Sequence, residues 1–283
     1  MSLFSPDSTQ WYDRHGNPCH TVRAKNGEMR ATDLGDTRKL GLLPSVTNIL
    51  GVVAKPEVTV WLQERAVVAA LTLPRLQGEA EDAFARRVVA DSQTTRPGAA
   101  DFGSAFHHGA ERVARTLEVD PADPLAPWLR LYRDWFQANC VCLVWTERSL
   151  ASPELGCAGT ADLLIEHPMH GRTLVDLKTQ SVEEARGPST YRSWGYELAA
   201  YRRMLGEPVK CMNLIVNSRE PHPPIEAVWG EAELERCWVG FEAAMAVWRV
   251  EKNYDPRFQR TEDRGQRTED RGQRTEERGV NHG

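Results

Sequence analysis

Two aspartates and a lysine stand near one another in the middle of the chain, at Asp162, Asp176 and Lys178. They lie in two short runs rich in leucine and β-branched residues, 159–166 and 172–179, which flank a turn-prone Pro-Met-His-Gly segment. This pattern predicts an antiparallel hairpin, in which Asp162 lies opposite or one step diagonal to Asp176. Lys178 is two residues past Asp176 and shares its face of the strand. We therefore expect two carboxylates and an ammonium group to converge.

Converging carboxylates repel each other unless a cation offsets their charge. Hard oxygen ligands favour Mg²⁺ or Mn²⁺, so Asp162 and Asp176 are candidate metal ligands and catalytic residues. Lys178 would then orient or deprotonate a water for attack on phosphorus, or neutralise charge on the phosphoryl oxygens. The alternative is a surface hairpin with solvated charges. Against it, apolar residues occupy both faces of both strands, which is typical of an internal sheet.

Composition limits the classes of protein to consider. With 283 residues, 41% of them hydrophobic, the chain can bury a full core. Its net charge of -5 gives no general attraction for nucleic acid, so phosphate binding would depend on local basic clusters or on a metal. No apolar run approaches the ~20 residues that cross a bilayer, and we expect a cytoplasmic protein with no membrane partner. The six cysteines form no CxxC pair or group, so no iron-sulfur cluster is expected.

The chain divides into four parts by pattern. An N-terminal β-rich element is predicted over 1–43 and a helical region over 44–140. Strands and helices follow over 141–258. The tail, 259–283, repeats a seven-residue unit with one glycine and no apolar position, which predicts disorder.

Three further segments carry polar residues of interest. In the segment Gly103-Ser-Ala-Phe-His107, His107 lies on a predicted helix, where a single histidine is most often an ordinary polar residue. Ser45 and Thr47 open a short helix, either as capping residues or as contacts to a DNA phosphate at its N-terminus. Glu197 and Tyr201 share a face of an amphipathic helix, where core packing alone would explain the tyrosine.

These segments resemble the motifs of the PD-(D/E)XK nuclease superfamily. Gly159-Thr-Ala-Asp162 stands where the family has Gly-x-x-Asp, and Asp176-Leu-Lys178 where it has Asp-x-Lys. The segment ending in His107 matches the Gly-Ser/Thr-x-x-His motif of RecB-type members. Where those members have Gln-x-x-x-Tyr, this chain has Glu197-Leu-Ala-Ala-Tyr201. The ordered set spans roughly 44–217 and is most similar to the RecB-type and phage-type exonuclease branch, which includes the mitochondrial genome-maintenance exonuclease.

The resemblance implies a fold and a set of roles. The fold would be α/β, a restriction-endonuclease-like mixed β-sheet flanked by helices, with 141–258 as the nuclease core and the helical region as an arch or wall over the cleft. The activity would be metal-dependent hydrolysis of DNA phosphodiester bonds at DNA ends, in repair, recombination or phage DNA processing. The implied ligands of one or two Mg²⁺ or Mn²⁺ ions are His107, Asp162, Asp176 and the carbonyl of Leu177.

Four other residues receive roles by the same resemblance. Lys178 would position the attacking water, and Tyr201 would touch the substrate or brace the lysine. Glu147, on the strand before the hairpin, would lie at the outer shell of the metal or on the DNA, unless it is a glutamate without function at the sheet edge. An ionised Glu197 only accepts hydrogen bonds, unlike glutamine, so it would pair with Lys178 or contact the metal instead.

Two other classes of function remain open. One is a structure-specific or CRISPR-adaptation-like endonuclease on the same core. The other is a catalytically silent DNA-binding recombination partner, suggested by Glu197 and the acidic balance. The sequence leaves open the polarity of digestion, the choice of single- or double-stranded DNA, a repair or recombination partner protein, and the oligomeric state.

Overall fold

The structure is a computed structural model that describes residues 10–54, 56–94, 97–182 and 187–258. The predicted disordered tail, 259–283, lies outside these residues. The elements in chain order are β1 (Trp11–Tyr12), β2 (Thr21–Arg23), β3 (Met29–Ala31), α1 (Leu34–Leu40), β4 (Leu43–Pro44), α2 (Val46–Ile49), a 3₁₀ turn (Leu50–Val52), α3 (Pro56–Thr72), α4 (Glu81–Thr94), α5 (Pro97–Thr116), α6 (Ala126–Asn139), β5 (Cys142–Ser152), β6 (Cys157–His167), β7 (Gly171–Gln180), α7 (Arg192–Leu205), β8 (Lys210–Asn217), β9 (Ile225–Trp229) and α8 (Glu231–Lys252).

A mixed sheet forms the centre of the molecule, with the strand order β5-β6-β7-β8-β9. The predicted hairpin is confirmed: β6 and β7 are antiparallel, and His167 pairs with Gly171 across a short turn. Strands β7 and β8 are parallel. A parallel pair needs a crossover connection, and α7 lies between these two strands in the chain. The fold is therefore α/β, as predicted.

Helices cover both faces of this sheet. On one face α7, α8 and the short α2 enclose a core that includes Leu164 and Leu174. On the other face α5 and α6 enclose a core that includes Leu163 and Val175. Successive residues of one strand thus enter opposite cores, which confirms that the hairpin is internal. The predicted helical region is divided by this arrangement, because α2 and α5 lie in different layers.

The N-terminal element contains a helix that the sequence pattern did not predict. Strand β1 pairs with β4, and β2 pairs with β3 around the Asn26-Gly27 turn. Helix α1 lies between β3 and β4 in the chain. It begins at a reciprocal capping box formed by Asp33 and Asp36 and ends at Gly41, which is in the left-handed conformation with φ 66°. This segment has too few apolar residues to show a helical period of hydrophobicity, and its helix is stabilised by the capping residues at both ends. None of the described helices is long and apolar enough to span a bilayer.

Candidate active site

The site lies where β6 and β7 separate. Their backbone pairing ends at Leu163 and Val175, so the next residues along the register, Asp162 and Asp176, are the first pair beyond the ladder. The strands are bridged there by a side chain instead, because Asp162 Oδ2 accepts a hydrogen bond of 2.7 Å from the backbone N–H of Leu177. Asp162 and Asp176 therefore stay opposite each other although the backbone ladder has ended, and a gap between the two strands opens beside their carboxylates.

The backbone of Leu177 faces the same gap. The N–H and C=O groups of one residue in an extended strand point to the same edge. Since the N–H of Leu177 is directed at Asp162, its carbonyl oxygen is directed to that side as well. This is the orientation that the predicted metal-ligand role of Leu177 requires.

Asp176 and Lys178 point to the layer of α7, where Glu197 meets them. The Lys178 Nζ atom lies 3.0 Å from Asp176 Oδ1 and 2.8 Å from Glu197 Oε2. All three groups are largely withdrawn from solvent, with 7% of the Asp176 side chain, 20% of the Lys178 side chain and 12% of the Glu197 side chain exposed. Of the two roles expected for Glu197, the structure thus shows the pair with Lys178.

The charges in this group raise two pKa values. Burial, together with the charges of Glu197 and Asp162, raises the pKa of Asp176 well above its usual range, although Lys178 opposes the shift. For Lys178, burial disfavours the ammonium, but Asp176, Glu197 and Asp162 outweigh burial and raise its pKa. The lysine is therefore held as a cation among more negative groups than it can neutralise.

His107 reaches the gap from the opposite layer, on α5. Its Nδ1 atom lies 3.7 Å from Asp162 Oδ1, and 31% of its side chain is exposed. A side chain at Gly103, one turn earlier, would come within 3.2 Å of Thr179 Oγ1 on β7, so glycine there permits the close approach of this helix. Burial disfavours the charged imidazole, but Asp162 and Asp176 raise the pKa of His107. The neighbouring His108 is exposed.

Glu147 joins the group from β5, in an unusual backbone conformation. Its φ of 49° lies in the left-handed region, which is uncommon for a residue other than glycine and is frequent at functional sites. Ligand atoms of Glu147, His107 and Asp162 all lie within 4.8 Å of one another. Burial and the charge of Asp162 raise the pKa of Glu147 to about 7. Glu147 therefore lies on an edge strand of the sheet but beside the predicted ligands rather than apart from them.

Tyr201 lies one helical turn after Glu197 and packs over the Gly-x-x-Asp segment. A Cβ atom at Gly159 would come within 2.9 Å of the Tyr201 ring and hydroxyl, so the glycine of that motif makes room for the tyrosine. Burial, then the charges of Glu197, Asp176 and Asp162, raise the pKa of Tyr201 well above its usual range. The ring belongs to the core, and the hydroxyl is near enough to the acidic group for its charges to act on that pKa.

Ser45 and Thr47 lie at the start of α2. The Ser45 hydroxyl accepts a hydrogen bond of 3.0 Å from the backbone N–H of Asn48 and lies 3.0 Å from the Thr47 hydroxyl. Ser45 is buried and caps the helix, whereas Thr47 is exposed. Ser45 also bridges to Ala158 of β6, which places α2 a few residues along that strand from Asp162.

The donor set at the gap fits a hard divalent cation. It combines carboxylates with a backbone carbonyl and one imidazole, which is an oxygen-rich set of the kind that Mg²⁺ and Mn²⁺ prefer. The one lysine leaves the group of Asp162, Asp176, Glu147 and Glu197 with excess negative charge when these are ionised, and a cation would relieve it.

Sequence reasoning missed one residue of this site, Asn213. It lies beside Asp176 in the parallel register of β7 and β8, and its Nδ2 atom donates a hydrogen bond of 2.6 Å to Asp176 Oδ2. The available signal was its amide in a run of otherwise apolar residues, Cys-Met-Asn-Leu-Ile-Val. A polar residue in the middle of a buried strand needs a partner.

The chain matches no family model and no curated protein. Among solved structures, it resembles a candidate exonuclease from Eubacterium rectale at 15% identity with a TM-score of 0.37, over 55% of this chain and 68% of that one. It also resembles the protein SSO0001 at 15% identity with a TM-score of 0.29, over 71% of this chain and 89% of that one. Likenesses this remote do not bear on the chemistry, which is therefore derived from the site.

Proposed function

We propose that this protein is a metal-dependent deoxyribonuclease of the PD-(D/E)XK type that degrades DNA from its ends. The observation that supports this most is the convergence of Asp162, Asp176 and Lys178 at the gap in the sheet, with His107 3.7 Å from Asp162. These residues come from two neighbouring strands and from helix α5 on one face of the sheet. Burying such a group of charges costs free energy. Groups of this kind are therefore found mainly at functional sites.

The proposed metal ligands are His107, Asp162, Asp176 and the carbonyl of Leu177. One or two Mg²⁺ or Mn²⁺ ions held there would polarise the scissile phosphate and activate a water molecule. The protein contributes ligand orientation through the bond from Leu177 N–H to Asp162. Glu147 is near enough to Asp162 and His107 to act at the outer shell.

Lys178 has the role of positioning the attacking water and countering charge on the phosphoryl oxygens. Its ammonium is kept charged and in place by Asp176 and Glu197. Tyr201 would touch the substrate or brace Lys178, and its packing over Gly159 supports the bracing role. The exposed Thr47 is a further candidate contact to DNA.

The preference for an exonuclease over an endonuclease rests on the resemblance of the four motifs to the RecB-type branch. The same resemblance supports a role in DNA repair, recombination or phage DNA processing. The geometry of the site serves either mode of cleavage, because both use the same hydrolytic step.

One observation favours a second candidate, a catalytically silent DNA-binding partner. The Nζ atom of Lys178 is already engaged by two carboxylates, and a lysine bound in this way must release one partner to assist a water. Glu197→Gln separates the two candidates, since glutamine keeps an acceptor for Lys178 and removes the charge. Cleavage that is absent in the wild type and present in Glu197→Gln would support the silent partner.

The test is digestion of linear DNA labelled at either the 5′ or the 3′ end, single- and double-stranded, beside circular single-stranded DNA. Each reaction is run with Mg²⁺, Mn²⁺ or EDTA, and with Lys178→Ala in parallel. We expect metal-dependent loss of linear substrates only, absent in the variant, and the label gives the polarity. Opening of the circle would show an endonuclease. No cleavage under any metal would contradict the proposal.

A further inference from the structure

Asn213 is a fully buried amide, with 0% of its surface exposed, in the middle of β8. Both ends of its side chain are bonded. Its Nδ2 atom donates to Asp176 Oδ2 at 2.6 Å, and its Oδ1 atom accepts from Trp229 Nε1 at 2.7 Å. The indole of β9 is thereby connected to the proposed metal ligand through one amide.

The direction of this chain of bonds is set by Trp229. An indole N–H can only donate, so the amide must turn its oxygen to the tryptophan and its nitrogen to the aspartate. The reverse orientation would place two donors against each other at one end and an oxygen against the carboxylate at the other. Trp229 therefore fixes which group of Asn213 meets Asp176.

The tryptophan ring is itself confined. Trp229 is 6% exposed, and it packs against Gly195 of α7. A Cβ atom at Gly195 would lie 2.5 Å from Cζ3 of the indole and 2.7 Å from Sγ of Cys237. The backbone of α7 therefore blocks movement of the ring toward that helix. A partly confined ring thus holds a fully buried amide.

We infer that Trp229 and Asn213 are positioning residues that fix the carboxylate of Asp176 for binding the divalent cation, an inference that rests on the proposed function. A neutral amide donor orients the carboxylate without neutralising it, unlike Lys178. With Oδ2 held by Asn213, rotation of the carboxylate is restricted. Partners of this kind behind metal ligands typically change metal affinity 10- to 100-fold.

The test is calorimetric titration of Mn²⁺ into the full chain without DNA, comparing the wild type with Trp229→Phe. This substitution keeps a smaller aromatic ring at the position and removes the indole N–H that orients Asn213. We expect Mn²⁺ affinity to fall about tenfold, and the Mn²⁺ concentration for half-maximal DNA cleavage to rise by a similar factor.

The chain offers a matched control in Trp248→Phe. Trp248 is also buried, and its Nε1 atom donates to Asn48 Oδ1 at 3.1 Å, so the variant loses the same kind of bond outside the site. We expect a similar loss of thermal stability in both variants and unchanged Mn²⁺ affinity in Trp248→Phe. Asn213→Leu provides a second variant should Trp229→Phe fail to fold, with the same expected loss of affinity.

The outcomes separate this inference from the proposed function. Mn²⁺ binding to the wild type with equal affinity in Trp229→Phe and Asn213→Leu would overturn the positioning role alone. An equal loss of affinity in Trp248→Phe would also overturn it, because the effect would then be one of general stability. Absence of Mn²⁺ binding in the wild type would overturn both.

Discussion

Among the residues that the structure describes, two groups of side chains each place three potential metal-binding atoms within 4.8 Å of one another. The cleft cluster consists of His107, Glu147 and Asp162, and the hairpin cluster consists of His167, His170 and Glu226. Distance alone does not distinguish them. What differs is whether their lone pairs are already in use.

The hairpin cluster is bonded to protein groups. The backbone N–H of Met169 donates to His167 Nδ1 at 3.2 Å, so the ring proton is on Nε2, which faces Glu226 Oε1 at 3.4 Å. Trp135 donates to the same oxygen at 2.8 Å, and His170 stacks on His167. A metal at Nε2 would need the proton moved to Nδ1 and the bond from Met169 broken.

The cleft cluster is engaged less: Asp162 Oδ2 accepts a hydrogen bond of 2.7 Å from the backbone N–H of Leu177, and Asp162 Oδ1 faces His107. His107 and Asp162 are 3.7 Å apart, which is too long for a hydrogen bond, and the carboxylate of Glu147 is subject to burial and neighbouring charges. Asp176 and Lys178 extend the group with further charge. Available lone pairs and excess charge, rather than proximity, therefore distinguish the proposed metal site from the hairpin cluster.

The largest expected effect comes from changing one carboxylate of each region to its amide and comparing the rates of DNA cleavage. Asp176→Asn should slow DNA cleavage at least ~100-fold, because a ligand and its charge are lost where charge develops. Glu226→Gln should cleave at the rate of the wild type. End-labelled DNA digestion measures both, with circular dichroism as a check of folding. Activity above about a tenth of wild type in Asp176→Asn would count heavily against its role.

The second effect uses two adjacent histidines of α5. His107→Ala should raise the Mn²⁺ concentration for half-maximal cleavage at least ~10-fold, as expected for loss of a group at the metal. His108→Ala is the control, since His108 is exposed and one residue away. If both variants need the same Mn²⁺ concentration for half-maximal cleavage, His107 is not a ligand of the metal.

A smaller effect is expected from crowding Tyr201. Gly159→Ala places a Cβ atom 2.9 Å from its ring, which should slow cleavage several-fold and destabilise the fold by about 1–3 kcal/mol. Gly109→Ala crowds Leu129 at 2.8 Å in the opposite core and provides a control with a similar cost in stability. The ratio of the two cleavage rates, measured at a temperature where both variants are folded, separates the effect of Tyr201 on cleavage from its effect on stability. A ratio of one would show that Tyr201 contributes to packing alone.

The smallest effect on cleavage should come from the hairpin cluster. His167→Ala removes a buried side chain with bonds to Met169 and Glu226, so the free energy of unfolding should fall by about 1–3 kcal/mol. Cleavage below the unfolding transition should be unchanged. Urea unfolding and DNA digestion measure the two quantities. A loss of activity without a loss of stability would show that the hairpin cluster, rather than only the cleft cluster, takes part in cleavage.

The sequence predicted the parts of the site that depend on local pattern. Alternation and turn residues placed Asp162 opposite Asp176, and strand periodicity placed Lys178 on the same face as Asp176. His107 was found through resemblance, because a helix face does not reveal what another layer brings to it. The bond from Leu177 to Asp162 needs the separation of two strands, which no local pattern encodes.

Tertiary contacts account for what was missed. β9 has five residues at the sheet edge, too few for its period to be distinctive, so the role of Trp229 could not be seen. Asn213 acquires its role only when β7 and β8 lie side by side. The left-handed backbone of Glu147 depends on its surroundings, since the residue type does not favour that conformation.

We propose that the cleft cluster, and not the hairpin cluster, binds the metal. Calorimetric titration of Mn²⁺ into Asp162→Asn and His170→Ala tests it most directly, because asparagine still accepts the bond from Leu177 and His170 belongs to the other cluster. We expect Mn²⁺ affinity to be at least ~10-fold weaker in Asp162→Asn and unchanged in His170→Ala. Affinity that is unchanged in Asp162→Asn, or lost in His170→Ala, would contradict it.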